Sequence, residues 1–491
     1  MNPPPDHLKK KALVGTGWVA GTILVSRALQ SLGGIFLLRL LEPTMFGLFG
    51  MVMAYLGIVS IGTDLGLRQA IIQRPNLEGE ELHEALQFFF VTYLVKGILL
   101  SLITWTCAPL AARFFQTPEV TWMIKTSALC LIARSAISPG TLEAERNMDL
   151  RKVELVIQAS RGVALIATLS FAFYLRSAWA LLLGTLIGDW THVFLSFWVF
   201  PFAMRRRPYW IWIRRLLHFA KHSFLNQVFN TAILQTDKLI VARMLDKTAF
   251  GFFDKAQNIM ALSAVQLAQV MGKVGFPMFS QLSKDPHRAG RAWLKLLRYT
   301  STFAIPPFIV VAVFAPALVS LLLQPHWLPI IPLLQIFSLY SIMRILSLGT
   351  AAMLMGLGYP QIPAILKGVR LSLLLGFLPF AIQRFGVLGA AWWTSMAFVL
   401  TTTPAILACI WKGRPGRATA RQLLQTPLIA NLSLTAFSLC LQGNTPNSLP
   451  WLAVNLFASG LFYAGILLFD KEFRALPAAV LKAVRQWQAR R

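Results

Sequence analysis

The sequence has 491 residues, of which 56% are hydrophobic and only 13% are charged. Soluble globular chains carry roughly twice that share of charged residues, so the composition excludes a soluble domain and indicates a polytopic membrane protein. The formal net charge is +27, which in a soluble protein would suggest nucleic-acid binding. Here most Lys and Arg residues lie in alternate loops between apolar segments, so we expect membrane lipids as partners and no nucleic acid.

Apolar segments long enough to cross the hydrocarbon core of a membrane recur along the whole chain. From this pattern we predict fourteen spans, at residues 14–38, 45–72, 84–111, 119–138, 153–175, 179–202, 220–243, 249–280, 296–323, 329–355, 362–383, 386–410, 424–442 and 449–469. Membrane barrels show short segments of alternating polarity, and the sequence lacks that pattern. The predicted fold class is therefore an all-α polytopic membrane protein with about fourteen transmembrane helices.

Positive charge is divided unequally between the two sets of loops. If the N-terminus is cytoplasmic, the inner loops hold most cations, namely Arg146, Arg151, Lys152, Arg205 to Arg207, Arg214, Arg215, Lys284, Arg288, Arg291, Lys295, Lys412, Arg414, Arg417 and Arg421. The opposite loops hold only scattered cations such as Arg113, Arg176 and Lys247. This asymmetry predicts that both termini are cytoplasmic.

The chain contains an internal repeat. Residues 37–49, LLRLLEPTMFGLF, align without gaps with residues 241–253, VARMLDKTAFGFF, and six of the thirteen positions are identical. The similarity continues at an offset of 209, where Gly140-Thr141 matches Gly349-Thr350 and Arg161 matches Arg370. Such self-similarity indicates duplication of a unit of about 200 residues.

The repeat predicts the domain organisation. Six predicted spans separate the two copies, so the copies point the same way, as in parallel-repeat transporters. We predict a first lobe at 1–204, a cytoplasmic interfacial linker at 205–219, a second lobe of six helices at 220–411, two added helices at 412–470 and a basic cytoplasmic tail at 471–491. The linker and the tail interleave cations with aromatic or apolar residues, which is typical of segments bound to anionic headgroups.

Several charged side chains lie inside predicted spans, where a cation costs about 3 kcal/mol unless it faces water, another charge or a polar ligand. The cations are Arg27, Arg68, Lys238, Lys255, Lys273 and Arg344, and polar stripes on the same helices add Asn226, Asn230, Asn258, Gln266 and Gln269. An excess of cations in a water-filled cavity attracts an anion, and arginine suits phosphate. We therefore predict a substrate-binding cationic cavity lined by these residues. Structural ion pairing or snorkelling is the alternative for Arg68 and Lys255. Arg161 and Arg370, which are equivalent in the repeat, either share this function or fix the structure of their lobes.

Asp64 and Asp237 are the candidates for ion coupling. A carboxylate near the membrane midplane can change its protonation with the side to which it is open. The alternative for Asp237 is pairing with Lys238. The sequence has no P-loop, no His pair on one helix face and no Ser-His-Asp set. We therefore expect a transporter that has no catalytic residues, metal or cofactor and that is driven by a proton or sodium gradient.

Five stretches in fixed order carry a resemblance to a known family. They are LLRLLEPTMFGLFGMV, DLGLRQAIIQRPNL, APLAARFF, QTDKLIVARMLDKTAFGFFDKAQ and LLLQPHWLPIIPLLQI. As an ordered set they resemble Wzx-type polysaccharide flippases, the polysaccharide-transporter branch of the multidrug, oligosaccharidyl-lipid and polysaccharide exporter (MOP) superfamily. The likeness extends from about residue 12 to 412.

The resemblance implies a MATE-like transporter with fourteen helices in the bacterial inner membrane. Its implied function is to move undecaprenyl-diphosphate-linked repeat units from the cytoplasmic to the periplasmic leaflet for exopolysaccharide, O-antigen or capsule biosynthesis. The implied substrate is a lipid-linked oligosaccharide, and a polymerase and other polysaccharide assembly proteins are the implied partners. A cationic central cavity is characteristic of the family, which agrees with Arg27, Arg68, Lys255 and Lys273 here.

A cation-coupled exporter of drugs or other small molecules is the alternative function for the same architecture. Such an exporter predicts a cavity in which acidic residues dominate. In this sequence the cations inside the predicted spans outnumber the acids, so the flippase is the favoured interpretation.

Overall fold

The computed structural model describes residues 22, 26, 28–60, 68, 71, 78–147, 149–204, 231, 235–261, 279, 280, 282, 285–442, 448–468 and 470. All regular secondary structure in these ranges is helical, as predicted. The chain divides into two compact units, Met1–Gly251 and Phe252–Arg491. Each unit is described by itself below.

The helices of the first unit follow the predicted spans closely. They are α1 Ala28–Leu40, α2 Pro43–Val59, α3 Gly79–Phe114, α4 Val120–Ser135, α5 Gly140–Arg146, α6 Leu150–Leu175, α7 Ala178–Val199, α8 at 235–244 and the start of α9, which covers 247–261. Pro43 begins α2, a position where its missing N–H group costs no helical hydrogen bond.

Small residues bring α6 and α7 into close contact. Gly184 and Gly188 of α7 lie against Thr168 and Ala164 of α6, and a β-carbon added to either glycine would overlap those side chains. Close approach of this kind is the usual way in which membrane helices gain packing energy, because lipid supplies no hydrophobic force between them. The contact fixes the position of α7, which carries two polar residues of the candidate site.

Two segments that are equivalent in the repeat, around Thr44 and around Thr248, contact each other inside the first unit. The hydroxyl oxygens of Thr44 and Thr248 are 2.9 Å apart, and these two residues are equivalent in the repeat. Gly47 lies against the backbone of Lys247, and its equivalent Gly251 lies against the backbone of Pro43. Contacts between equivalent residues are typical of surfaces related by a two-fold axis.

The second unit continues α9 and adds the remaining helices. They are α10 Pro286–Ala304, α11 Pro306–Leu322, a 3-10 turn Pro325–Ile330, α12 Ile331–Leu346, α13 Thr350–Gly356, α14 Gln361–Gly413, α15 Arg417–Gln442 and α16 Leu449–Leu467. Gly386 has a φ of 58° and divides α14 into two helices, at the point between the predicted spans 362–383 and 386–410. The predicted span 296–323 is broken between α10 and α11, because Pro306 cannot donate a helical hydrogen bond.

A buried ion pair joins three parts of the second unit. Arg298 of α10 donates to Asp470 at 2.5 Å, and the two side chains are 5% and 13% exposed. Thr426 of α15 donates to the same carboxylate at 2.6 Å. Asp470 follows α16, so the pair connects α10 and α15 to the end of the last helix.

Eight described helical segments are long and apolar enough to cross a membrane, and the bent pair α4 and α5 would make a ninth span. Two of the eight join elements across short breaks, namely α10 with α11 and the 3-10 turn with α12 and α13. The protein is therefore a multi-pass membrane protein, as predicted. The predicted spans 14–38, 45–72, 220–243 and 249–280 lie partly outside the described residues, so the total of fourteen stays a prediction. The predicted linker at 205–219 lies outside them, and the predicted lobe boundaries also stay predictions.

Candidate functional site

A cavity of about 180 Å³ lies among α3, α4, α5, α6 and α7 of the first unit. Its polar lining includes Arg68, Tyr93, Arg134, Glu145 and His192, and its apolar wall comes mainly from Leu142, Val153, Val156 and Ile157. The first half of α3, the end of α4, the short helix α5 and the beginning of α6 supply most of these residues. The cavity therefore lies toward one end of the bundle.

Each of the two arginines of this cavity forms an ion pair with a carboxylate. Arg68 donates to both oxygens of Glu145 at 2.5 Å, and its side chain is 52% exposed. Arg134 donates from Nε to Asp189 of α7 at 2.9 Å. Because each cation faces a carboxylate, these pairs leave the cavity nearly neutral. The predicted cavity residue Arg68 thus lines a cavity, but it already holds an anionic partner.

A second cluster of cations lies in the second unit, where Arg344 ends α12 and Arg370 lies in α14. Both guanidinium carbons are within reach of the Tyr340 ring, at 5.9 Å for Arg344 and 6.0 Å for Arg370. Arg370 also lies 4.5 Å from the centre of the Phe398 ring. The Tyr340 and Phe398 rings pack edge to face at 4.8 Å, and both residues are buried. We call Tyr340, Arg344, Arg370 and Phe398 the arginine–aromatic cluster.

The helices that form this cluster, α12 and α14, carry no carboxylate. The sequence has no Asp or Glu between Asp285 and Asp470, and those two residues bind the start of α10 and Arg298. Within the described part of the chain, neither Arg344 nor Arg370 forms an ion pair. Arg344 donates to the Tyr340 hydroxyl at 3.3 Å, and Nε of Arg370 is buried and has no hydrogen-bond partner among the described residues. The cluster therefore carries positive charge that aromatic rings and one hydroxyl offset in part.

The structure describes four other predicted site residues. Asp237 is 3% exposed and accepts a hydrogen bond at 2.9 Å from the backbone N–H of Lys238, whose side chain is half-buried. Asn258 is exposed and donates to Asp254 at 2.8 Å, while Lys255 is half-buried. The remaining predicted residues lie outside the described part of the chain: Arg27, Asp64, Asn226, Asn230, Gln266, Gln269 and Lys273.

Sequence reasoning missed part of the first-unit cavity. Arg134, Asp189 and His192 all lie inside predicted spans, so the rule that selected Arg27 and Arg344 would also have selected them. For Arg370 the sequence leaves both a functional and a structural role open. Its position beside Arg344 depends on the packing of α12 against α14, which hydropathy does not show.

The sequence matches a known family over more than half of its length. Residues 36–332 match the family model described as polysaccharide biosynthesis protein. An uncharacterized membrane protein in the cps region of Klebsiella pneumoniae is 22% identical over 78% of this chain and 79% of its own length. The lipopolysaccharide biosynthesis protein WzxC of Escherichia coli is 20% identical over 69% of this chain and 68% of its own length. The probable low-salt glycan biosynthesis flippase of Haloferax volcanii is 23% identical over 76% of this chain and 78% of its own length.

Solved structures show the same fold. The lipid II flippase MurJ in an inward closed conformation aligns with a TM-score of 0.73 and 13% identity, covering 93% of this chain and 99% of MurJ. An inward-facing multidrug resistance MATE family transporter of the MOP superfamily aligns with a TM-score of 0.59 and 17% identity, covering 80% of this chain and 94% of that transporter. The resemblance found in the sequence is therefore confirmed.

Proposed function

Because this chain belongs to the polysaccharide biosynthesis protein family, we propose that it is a flippase for a lipid-linked oligosaccharide. It is a transporter and not an enzyme. We infer that it carries undecaprenyl-diphosphate-linked repeat units from the cytoplasmic to the periplasmic leaflet of the bacterial inner membrane, for surface polysaccharide biosynthesis. Both termini are then cytoplasmic, and a polymerase and other assembly proteins would receive the product.

The observation that carries this proposal is the likeness of most of the chain to a probable glycan biosynthesis flippase and to the lipid II flippase. The relative from Haloferax volcanii is a probable low-salt glycan biosynthesis flippase, and the lipid II flippase has the same fold over 93% of this chain. The cations inside the spans support the same conclusion, because a diphosphate headgroup needs positive charge in an apolar bundle.

Contacts between the two copies of the repeat support alternating access. With both termini in the cytoplasm, the loops before α2 and α9 lie at the periplasmic side. Thr44 and Thr248 meet there, and Gly47 and Gly251 allow the backbones to approach closely. Release of a bulky headgroup to the periplasm would require this contact to separate.

Ion coupling belongs to the proposal as well. Asp237 is buried beside Lys238, and Asp64 is the other candidate. A proton or sodium ion that binds one of these carboxylates on the periplasmic side and leaves in the cytoplasm would drive the return of the empty transporter.

Export of surface glycan tests the proposal. In a strain that lacks the protein, a variant with Arg27, Arg68 and Lys273 replaced by Gln should fail to restore surface polysaccharide. The protein should still reach its normal level in the membrane, which immunoblotting would check. Normal export by this variant would contradict the role of the cations.

A second candidate function rests on the fold shared with a multidrug resistance MATE transporter. In that case the strain without the protein should be more sensitive to cationic drugs and should still export its surface polysaccharide. Drug susceptibility and glycan export, measured on the same strain, separate the two functions.

A further inference from the structure

We propose that the arginine–aromatic cluster of the second unit binds the phosphate-bearing headgroup of a lipid. We also infer that the equivalent position of the first unit is closed to such an anion by its own aspartate. The assignment of the lipid as the transported one rests on the proposed flippase function. Binding of a lipid phosphate at this cluster does not depend on it.

The internal repeat gives the comparison on which this proposal stands. At the offset of 209, Thr185 aligns with Thr394, Arg161 with Arg370, and Asp189 with Phe398. Arg134 and Arg344 also occupy similar places, since they lie six and five residues before the equivalent Gly140 and Gly349. Each copy therefore has two arginines in equivalent helices. The first copy has Asp189 at the position where the second copy has Phe398.

The two copies use these residues differently. In the first unit Asp189 accepts a hydrogen bond from Arg134 at 2.9 Å, so the guanidinium is neutralised within the protein. In the second unit Phe398 offers Arg370 a ring face at 4.5 Å and no negative charge. An aromatic face stabilises a cation much less than a full anion does in the same surroundings.

Two guanidinium groups without a carboxylate are costly in an apolar bundle. Both lie within 6.0 Å of the same Tyr340 ring, and the helices between Asp285 and Asp470 contain no acid that could approach them. Nε of Arg370 is buried, and none of the residues that the structure describes accepts a hydrogen bond from it. Arg344 and Arg370 are half-buried and remain accessible to a ligand. A bound anion would therefore relieve both the charge repulsion and the missing hydrogen bond.

The chemistry of the cluster indicates phosphate on an amphipathic ligand. Guanidinium groups match the oxygens of phosphate with paired hydrogen bonds. The Tyr340 hydroxyl adds a polar group, and the two rings supply an apolar wall beside the charge. Two sources carry this chemistry: the diphosphate of a lipid-linked sugar and the phosphodiester of an acidic membrane lipid.

Binding to the purified full-length protein in detergent tests the proposal. The probes are farnesyl diphosphate and short-chain phosphatidylglycerol, measured by native mass spectrometry and by microscale thermophoresis. We expect Arg344→Gln and Arg370→Gln each to weaken binding of at least one probe about tenfold or more. Phe398→Asp, which introduces the acid of the first unit, should weaken it to a similar extent.

Arg384→Gln is the matched control. Arg384 lies in the same element as Arg370 and also contacts a ring, that of Phe380 at 5.7 Å, but both residues are exposed. Its replacement removes the same charge and should leave binding unchanged. If Phe398→Asp does not fold, as judged by size-exclusion chromatography and thermal unfolding, the two arginine variants decide.

The two probes distinguish the sources. A loss confined to farnesyl diphosphate would assign the cluster to a diphosphate lipid, and a loss confined to phosphatidylglycerol would assign it to membrane lipid. Unchanged binding of both probes by Arg344→Gln and Arg370→Gln would overturn the proposal, because the arginines would then serve packing alone. That result would leave the flippase function intact, since the export experiment tests it independently.

Discussion

Single glycines set how closely the helices of the first unit approach each other. At Gly184 a β-carbon would overlap Thr168, whereas at Gly162 of the neighbouring helix it would meet nothing within 4 Å. The two positions therefore differ in packing although both are glycines in helices that span the membrane.

Gly184→Ala should destabilise the protein by about 1–3 kcal/mol, because the added methyl group forces α6 and α7 apart. Gly162→Ala should be neutral or slightly stabilising, because alanine favours a helix by about 0.5–1 kcal/mol over glycine. Thermal unfolding in detergent measures both. Equal melting temperatures for the two variants would show that the α6–α7 contact is looser than described.

Charged residues show where sequence reasoning reaches its limit at this scale. Hydropathy identifies Arg344 as a cation inside a span, but it does not show that Arg370 approaches the same ring. It also cannot show that Arg68 meets Glu145, 77 residues later in the chain. Partners of this kind depend on which helix faces pack together, and one sequence contains no record of them.

At the scale of elements, the buried pair of Arg298 and Asp470 connects α10, α15 and the end of α16. Removing one partner of a buried pair leaves an uncompensated charge, which costs about 3–5 kcal/mol. Asp470→Asn should therefore lower the melting temperature strongly. Lys295→Gln, an exposed cation on the same helix as Arg298, is the control and should melt like the native protein.

The contact between α2 and the start of α9 gives a prediction about transport. With the native cysteines replaced by serine, Thr44→Cys and Thr248→Cys together should form a disulfide under mild oxidation, because the two hydroxyl oxygens are 2.9 Å apart. The cross-link should block glycan export, and reduction should restore it. Either single variant is the control and should export normally whether oxidised or reduced.

A cross-linked protein that still exports glycan would exclude separation of this contact from the transport cycle. Failure of the cysteines to cross-link in membranes would place the two residues further apart than described.

Helix boundaries were largely predictable because proline and glycine act locally. The break before α11 follows from Pro306, and the division of α14 follows from Gly386 between two predicted spans. The repeat also identified Thr44 and Thr248 as equivalent residues. It did not predict that they touch, because an alignment gives equivalence and no distance.

At the scale of the whole molecule, charge is distributed unequally between the two units. The sequence from 252 to 491 holds 21 Lys and Arg residues against four Asp and Glu, whereas residues 1–251 hold 25 against 15. The second unit is thus the stronger attractor for an anion, in accordance with the lack of an ion pair to Arg344 or Arg370 among the described residues.

The fold class was predictable because hydropathy and duplication extend over the whole chain and do not depend on any one contact. The candidate site was only partly predictable. Seven of the predicted site residues lie outside the described part of the chain, and their roles stay predictions. The ion pairs of the first-unit cavity show why a cation in a span need not be free to bind substrate.

The distribution of lipid-linked oligosaccharide between the two leaflets of the inner membrane tests the central claim most directly. A membrane-impermeant glycosidase added to spheroplasts reaches only the periplasmic leaflet. Depletion of the protein should leave the lipid-linked sugar protected from the enzyme, and expression of the native protein should make it accessible again. Equal accessibility with and without the protein would contradict its role as the flippase.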